Sequence, residues 1–505
     1  MGGDHAPPAL IHELLDRAAA RHPARTALVT PDVACTYREL DGATRRAAAW
    51  LASRGVRRGD RVVVLLPNCA HTLVLVMAAS RLGALFCVLN RAMRPYHLQH
   101  VIAEVEPALV VTSGGRPDLG WLGSLAPVVT VEDCWDEAMS APPVAAASPG
   151  ISTDAAGLIY TSGSTAHPKG VIVGHRQVVF VVAAIQERLQ VRSDDVVACF
   201  LPLSFDYGLY QLFLTVQAGA TLALGTEEDA GAGLLRRVRA WGVTGLPIVP
   251  SMARALVDLA RRPGAGPPQL RFVTNTGERL PPAVIDDLTR VFPGCRVYPM
   301  FGTTECKRIS ILLPEEYAQR PESVGRPLQG TECRIARRGG EARPGEWGEL
   351  VVRGPHVMLG YWRSPALTRA RFRPYSGTTD CELRTGDVCS MDAEGYLYFR
   401  GRMDGIYKSA GRRVSELEVE EAARSIDGVR DAIVVRGPAG VGLFVTGMVD
   451  RAGLRDGLLG RLEEYKVPAA LHVVDEMPRT LHGKVDRRAL ARAAGLAGED
   501  DGAVG

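Results

Sequence analysis

A chain of 505 residues is longer than one ordinary compact core, so two or more domains are expected. The composition, 46% hydrophobic and 23% charged, is that of a soluble globular protein. The net charge of +3 is small for this length and makes no electrostatic case for a nucleic-acid or anionic-membrane partner. In chain order, IHELLDRAAARHP (11–23) has helical spacing, and TYRELDGATRRAAAWLASRG (36–55) reads as a second helix closed by Gly55. DRVVVLLPN (60–68) is a short apolar run with a proline behind it, the mark of a buried strand. A helix over 71–82, a strand over 84–89 and ALVVTSG (108–114) follow. This rhythm argues for an α/β fold whose parallel-rich sheets are covered by helices on both faces.

Residues 137–150, EAMSAPPVAAASPG, lack periodicity and read as a surface loop. Strands and helices alternate again up to about residue 330, through DVVACFLPLS, LYQLFLTVQAGATLAL, PSMARALVDLARR, LRFVTNTG and CRVYPMFG. After Gly330 the character changes to short strands with glycine turns, as expected of a small β-rich subdomain. From VSELEVEEAARSI (414–426) the order reads helix, strand (431–437), strand (442–449), helix (455–465), strand (470–478) and a final helix from 484, a small α+β domain.

The ten cysteines are scattered, with no CxxC pair and no zinc spacing, and read as small buried hydrophobes in a reducing cytosol. The N-terminus has no basic region followed by an apolar run, so no signal peptide is expected. TLVLVMAASRLGALFCVLN (72–90) is interrupted by Arg81 and Gly83, which favours a buried helix and strand over a membrane span.

The chemistry begins at LIYTSGSTAHPKGVIVGH (158–175), a hydroxyl- and glycine-rich turn between apolar runs, ending in Lys169. Successive backbone N–H groups in such a turn converge on an anion, the hydroxyls add donors, and the lysine adds charge. The order GxxxxGK[ST] is absent, so this is not a Walker loop. His167 and His175 read as solvent or loop residues.

YTSGSTAHPKGV resembles the signature of the adenylate-forming superfamily: acyl-CoA synthetases, nonribosomal peptide synthetase adenylation domains and luciferases. PMFGTTE (299–305), GELVVRGPHVMLGYW (348–362), RTGDV (384–388), GRMDGIYKSAGRRVSELEVE (401–420) and PRTLHGKVDRRAL (478–490) follow in that family's order. The resemblance implies a large N-terminal domain over 1–403, with the β-rich subdomain at about 331–403, and a mobile C-terminal lid over 404–505. It implies that Thr161, Ser162, Gly163, Ser164, Thr165 and Lys169 hold the β- and γ-phosphates of ATP. Phe301 lies against adenine, Gly302 belongs to the same motif, and Gly277 and Glu278 pass along the base. Thr304 meets the α-phosphate and Glu305 holds Mg²⁺. Asp387 accepts the ribose hydroxyls, and Arg402 reaches ribose or phosphate. Lys484 bridges the substrate carboxylate and the α-phosphate. Asp404 takes the hinge position, and Lys408, Ser409 and Gly411 face the site when the thioester forms. Ala166 departs from the family pattern, which has glycine there.

The resemblance aligns Phe205, Asp206, Tyr207, Tyr210, Thr274, Thr276, Met300, Arg308 and Ile309 with the acid pocket. Asp206 follows Phe205 as in members that pair an aspartate with a substrate amine; the alternative is an aspartate capping the helix. The two tyrosines and the methionine suit a flat or aromatic acid. Lys307 and Arg308 form a basic pair. If Arg308 points inward it holds a second anionic or polar group; if outward it is a surface cation. The expected function is an ATP-dependent ligase that adenylates an aromatic or amine-bearing carboxylic acid with release of pyrophosphate. The acyl group then goes to the pantetheine thiol of CoA or of a separate carrier protein. The alternatives are transfer to an amine, or activation of another oxyanion such as nitrite.

Overall fold

Through residue 301, runs of Val, Leu and Ile too short for helices alternate with longer helical stretches, and in the computed structural model they build two parallel-rich sheets. The structure describes residues 7–496 apart from 94, 116, 144–149, 162–167, 227, 263–265, 339, 376, 378–379, 410–411, 438–439, 463 and 481–482. Two units are present. The larger comprises Met1–Arg334, Val351–Thr385 and Glu394–Leu397; the smaller comprises Ile335–Leu350, Gly386–Ala393 and Tyr398–Gly505.

In the larger unit one sheet runs Val128–Thr130, Leu109–Thr112, Arg61–Leu65, Leu85–Val88, Ala155–Thr161, Lys169–Gly174, and only its last pair is antiparallel. The other has Val196–Cys199, Gly245–Ile248, Phe272–Asn275 and Arg296–Phe301 as parallel neighbours, with an antiparallel edge at Ser310–Ile311 and Arg326–Pro327. Strands buried on both faces need no polar alternation, which is why their sequences read as continuous apolar runs. The helix Asp206–Ala218 is buried from Asp206 through Val216, so it belongs to the interior rather than to an amphipathic cover.

Several boundaries differ from the expectations. Residues 137–140 are the last turn of the helix Val131–Ser140, whose first turn carries Glu132 and Asp133. Those acids suit the positive end of the helix dipole, and the helix stops only as Pro142 and Pro143 approach. The cap after Tyr37–Ser53 is Arg54, and Gly55 follows it at φ +86°. The stretch 72–90 is the helix Ala70–Leu82 and the strand Leu85–Val88, and no described helix is long and apolar enough to cross a membrane.

Between 332 and 402 the chain passes repeatedly from one unit to the other, within the strands Glu332–Arg337, Gly348–Arg353, Cys381–Met391 and Leu397–Arg402. In the smaller unit Ile406–Ser409 and Arg412–Ser415 form a hairpin that the sequence did not announce, because its polar run lacks the alternation of a half-buried strand. Beyond it, Val429–Gly437 pairs antiparallel with Gly440–Gly447, which pairs in parallel with Ala470–Val473. The helix expected from 455 already begins at Arg451, because Asp450 caps it by accepting from the Gly453 N–H at 2.8 Å. One face of this sheet packs Val434, Leu443 and Val445 against the helices Glu416–Arg424 and Arg451–Leu459; the other packs Phe444 against Leu490 of the last helix.

Candidate active site

The hydroxyl-rich turn joins two strands paired antiparallel, with Thr161 directly opposite Lys169. The sheet therefore fixes both ends of the turn side by side. Ser162, Gly163, Ser164 and Thr165 lie outside the described residues, as do Ala166 and His167. His175 is not a loop residue. It is fully buried at the start of the helix His175–Leu189, its Nδ1 accepts from the Ile11 N–H at 3.2 Å, and burial lowers its pKa to about 4.

The sequence FGTTECKRIS folds into a tight hairpin turn in which Phe301 pairs with Ser310. Arg308 N–H donates to the Cys306 carbonyl at 2.8 Å, and Ile309 N–H to the Phe301 carbonyl at 2.9 Å. Gly302 makes this closure possible, since a Cβ there would stand 2.1 Å from the carbonyl oxygen of Lys307. Lys307 has φ +59°, a left-handed conformation that long side chains seldom adopt. As a result the Lys307 and Arg308 side chains do not alternate as they would along a strand. Lys307 Nζ lies 5.6 Å and Arg308 Cζ 5.9 Å from the centre of the Tyr207 ring.

On the outgoing arm of the same turn, Phe301, Gly302, Thr304 and Glu305 are half-buried. Tyr361 OH donates to Glu305 Oε1 at 2.6 Å, and Met358 N–H donates to the Glu305 carbonyl at 2.9 Å. The carboxylate is thus fixed by one of its two oxygens. Tyr361 was not anticipated as a partner of the site.

Asp206 is the first residue of its helix, and the cap is Phe205, whose φ −95° and ψ 131° are the extended values a cap requires. The capping alternative for Asp206 is therefore not what the structure shows. Its carboxylate, 7% exposed, pairs with Lys307 at 3.4 Å and sits at the positive end of the helix dipole. Lys307, 4% exposed, also lies 4.4 Å from the centre of the Tyr210 ring. Burial pushes its ammonium down to about 8, against the pull of Asp206. Arg308 is 1% exposed, and its pKa too is lowered by burial. It points inward: Nη1 donates to Thr276 Oγ1 at 2.5 Å. Tyr207 OH and Thr274 Oγ1 share a hydrogen bond of 2.7 Å. Thr274 and Met300 lie toward the carboxyl ends of two neighbouring parallel strands, where ligands of open α/β sheets bind. Gly277, at φ +89°, turns the chain past the Phe205 ring, and Glu278 follows half-buried. Ile309 is fully buried behind Arg308 in sequence.

In the smaller unit, Asp387 is buried and accepts from Arg402 Nη1 at 3.3 Å. Lys484 is exposed on a turn closed by Thr480 N–H donating to its carbonyl at 2.6 Å. The residues after it pin that turn. Asp486 caps the last helix through the N–H groups of Arg488 and Ala489. Arg487 bonds the carboxylates of Glu416 and Glu420, the latter at 2.9 Å. Asp404 lies in the short helical turn Met403–Gly405 and Lys408 in the strand Ile406–Ser409; Gly411 lies outside the described residues.

A family model described as AMP-binding enzyme matches residues 15–362. The chain belongs to the AMP-binding enzyme family. This AMP-binding enzyme is 31% identical over 494 residues to the 2-succinylbenzoate–CoA ligase of Bacillus licheniformis, covering 94% of this chain and 98% of that one. It is 32% identical over 504 residues to the isonitrile lipopeptide synthase of Mycobacterium tuberculosis, where the match covers 96% of this chain but spans only 19% of the relative. Among solved structures, VinN in complex with L-aspartate is 39% identical with TM-score 0.70, covering 78% of this chain and 98% of that one. The O-succinylbenzoate CoA synthetase MenE of Bacillus subtilis, solved with ATP and magnesium ion, is 28% identical with TM-score 0.82, covering 94% and 98%. Membership makes the chain an adenylate-forming ligase, which activates an acid with ATP.

Proposed function

We propose that this chain adenylates an amino acid and passes the aminoacyl group to a pantetheine thiol, on CoA or on a carrier protein. The observation that carries the proposal is Asp206, a buried carboxylate that does not cap its helix and pairs with Lys307. It is a ready acceptor for a substrate ammonium. The relative VinN, solved with L-aspartate, supports an amine-bearing acid. Lys307 lies over the Tyr207 and Tyr210 rings and Arg308 over that of Tyr207, which argues against an aryl ring stacked on those faces.

In the first step the substrate carboxylate oxygen bonds to the α-phosphorus, and the bond from that phosphorus to the bridging oxygen of pyrophosphate breaks. Two anions must meet, so cations are needed where charge accumulates. Lys169, with Thr161 and the turn 162–165, holds the departing phosphates. Lys484 would meet the attacking carboxylate and the α-phosphate, and Thr304 the α-phosphate. Glu305 fits a magnesium ion: it is a hard oxygen ligand, oriented through Tyr361, with a second oxygen to offer. Among the described residues no three His, Cys, Asp or Glu side chains cluster as a metal site, so the remaining ligands would be phosphate oxygens and water. Magnesium, when bound, neutralises phosphate charge. Phe301, Gly302, Gly277 and Glu278 would border the adenine, and Asp387 with Arg402 the ribose. In the second step a thiol sulfur bonds to the acyl carbon and gives up its proton to solvent, the bond from that carbon to the oxygen bridging it to phosphorus breaks, and AMP leaves with that oxygen. Asp404, Lys408 and Gly411 belong to that step.

Acid-dependent ATP–pyrophosphate exchange tests this reading, with each amino acid paired to the same acid lacking its amine. Exchange that requires the amine is expected. Exchange that runs as well or better without it would overturn the role of Asp206. Mass spectrometry of products formed with CoA and with a phosphopantetheinylated carrier protein then separates the two acceptors.

A further inference from the structure

The pocket holds more charge than a simple amino acid can answer. Asp206, Lys307 and Arg308 are each more than nine-tenths buried, one anion against two cations. Asp206 is matched by Lys307. Among the described residues no carboxylate lies at ion-pair distance from Arg308; its guanidinium donates to the neutral Thr276 hydroxyl, lies over the Tyr207 ring, and feels Asp206 only from beyond ion-pair distance. Its Nε has no hydrogen-bond partner, and neither has the buried hydroxyl of Tyr210, the ring over which the Lys307 ammonium lies. A buried guanidinium without an anion is costly, and a planar fork of N–H donors is the natural receptor for a carboxylate.

We infer that the substrate is an amino dicarboxylic acid whose ammonium is taken by Asp206 and whose second, unactivated carboxylate is taken by Arg308 and Lys307. The inference rests on the amino acid reading above and deepens it. Charge accounting favours the pair of groups over either alone. An ammonium arriving at Asp206 displaces Lys307 and, by itself, adds a third cation to the two already buried. A second carboxylate on the same molecule gives Lys307 a new partner and gives Arg308 its first. Before binding, Lys307 occupies the place of the substrate ammonium. Acids without an ammonium leave Asp206 and Lys307 locked together, and amino acids without a second carboxylate leave both cations unanswered. The reacting carboxylate is a separate group, consumed when its oxygen bonds to phosphorus.

The test is pyrophosphate exchange by the full chain with aspartate and glutamate of both hands. β-Alanine and alanine lack the second carboxylate, succinate lacks the amine, and anthranilate is an aryl amino acid. An amino dicarboxylate is expected to exceed every other acid by about 100-fold or more in kcat/KM, since a site that leaves buried polar groups unpaired rejects the deficient analogue strongly. Arg308→Met and Lys307→Met are each expected to collapse the ratio of aspartate to β-alanine, a readout that partial misfolding of a variant does not move. Comparable exchange with β-alanine or alanine overturns the inference and leaves the amino acid reading intact. Preference for succinate or another acid without an amine overturns both. So does silence across the panel with ATP still bound by calorimetry.

Discussion

The two arms of the turn between Phe301 and Ser310 stand in different surroundings although three residues or fewer separate them. Thr304 and Glu305 stand half-buried on the outgoing arm, and Glu305 is steadied by Tyr361. Lys307 and Arg308 stand fully buried on the returning arm, against Asp206 and Tyr207. In the proposed function the first arm addresses the nucleotide, which is common to every acid, and the second addresses only the acid. On that proposal one short turn couples an invariant reaction to a changeable substrate, and damage to the two arms should be distinguishable kinetically.

The largest expected effect belongs to the common chemistry. Lys484→Ala should lower exchange by about 10³-fold, as loss of a cation at a developing charge does, and by the same factor for every acid tested. A factor that differs between acids would place Lys484 in recognition instead. Asp206→Asn should act on the other side of the comparison, lowering kcat/KM by about 100-fold for an amine-bearing acid and far less for the acid without its amine. Equal losses would mean that Asp206 serves the fold alone. Tyr361→Phe should raise the magnesium concentration needed for half-maximal exchange roughly tenfold, the worth of one hydrogen bond to a charged group, with no change in acid preference. A shift in preference would break the separation of the two arms.

The smallest effect is a pH dependence. Burial brings Lys307 down to about 8, so its charged form is present below that pH and lost above it. Since the depressed value means the folded state disfavours the charge, global stability gains as pH rises from about 8 toward the ordinary lysine value, while anion binding weakens. kcat/KM for the substrate should therefore fall about fivefold between roughly pH 8 and 9 in the wild type, and Lys307→Met should lack that limb. An identical limb in the variant would assign the titration to another group.

Much of the scaffold was legible because its signals are local. Apolar runs of four to six residues between helical stretches predict buried parallel strands wherever they occur. The hairpin Ile406–Ser409 with Arg412–Ser415 escaped that reading, since neither strand alternates. So did the last turn of Val131–Ser140, where a helical pattern ends in the same Ala and Pro composition as a loop. His175 looked like a polar loop residue and is buried, because its ring accepts from a backbone N–H more than 160 residues away in sequence.

The same division runs through the candidate site. The family, the parallel-rich α/β framework and the positions of the nucleotide motifs were already settled by residue order, because runs such as FGTTE, RTGD and HGKVDRRAL keep their residues at short, fixed spacings. What Asp206, Lys307 and Arg308 do was decided by tertiary structure. A left-handed residue at Lys307 turns two consecutive cations to the same side, a glycine at Gly302 lets the turn close on them, and a buried helix brings Asp206 from about a hundred residues earlier to meet them. Spacing along the chain carries no trace of that encounter, because burial and opposite charge, rather than any local pattern, hold the three together.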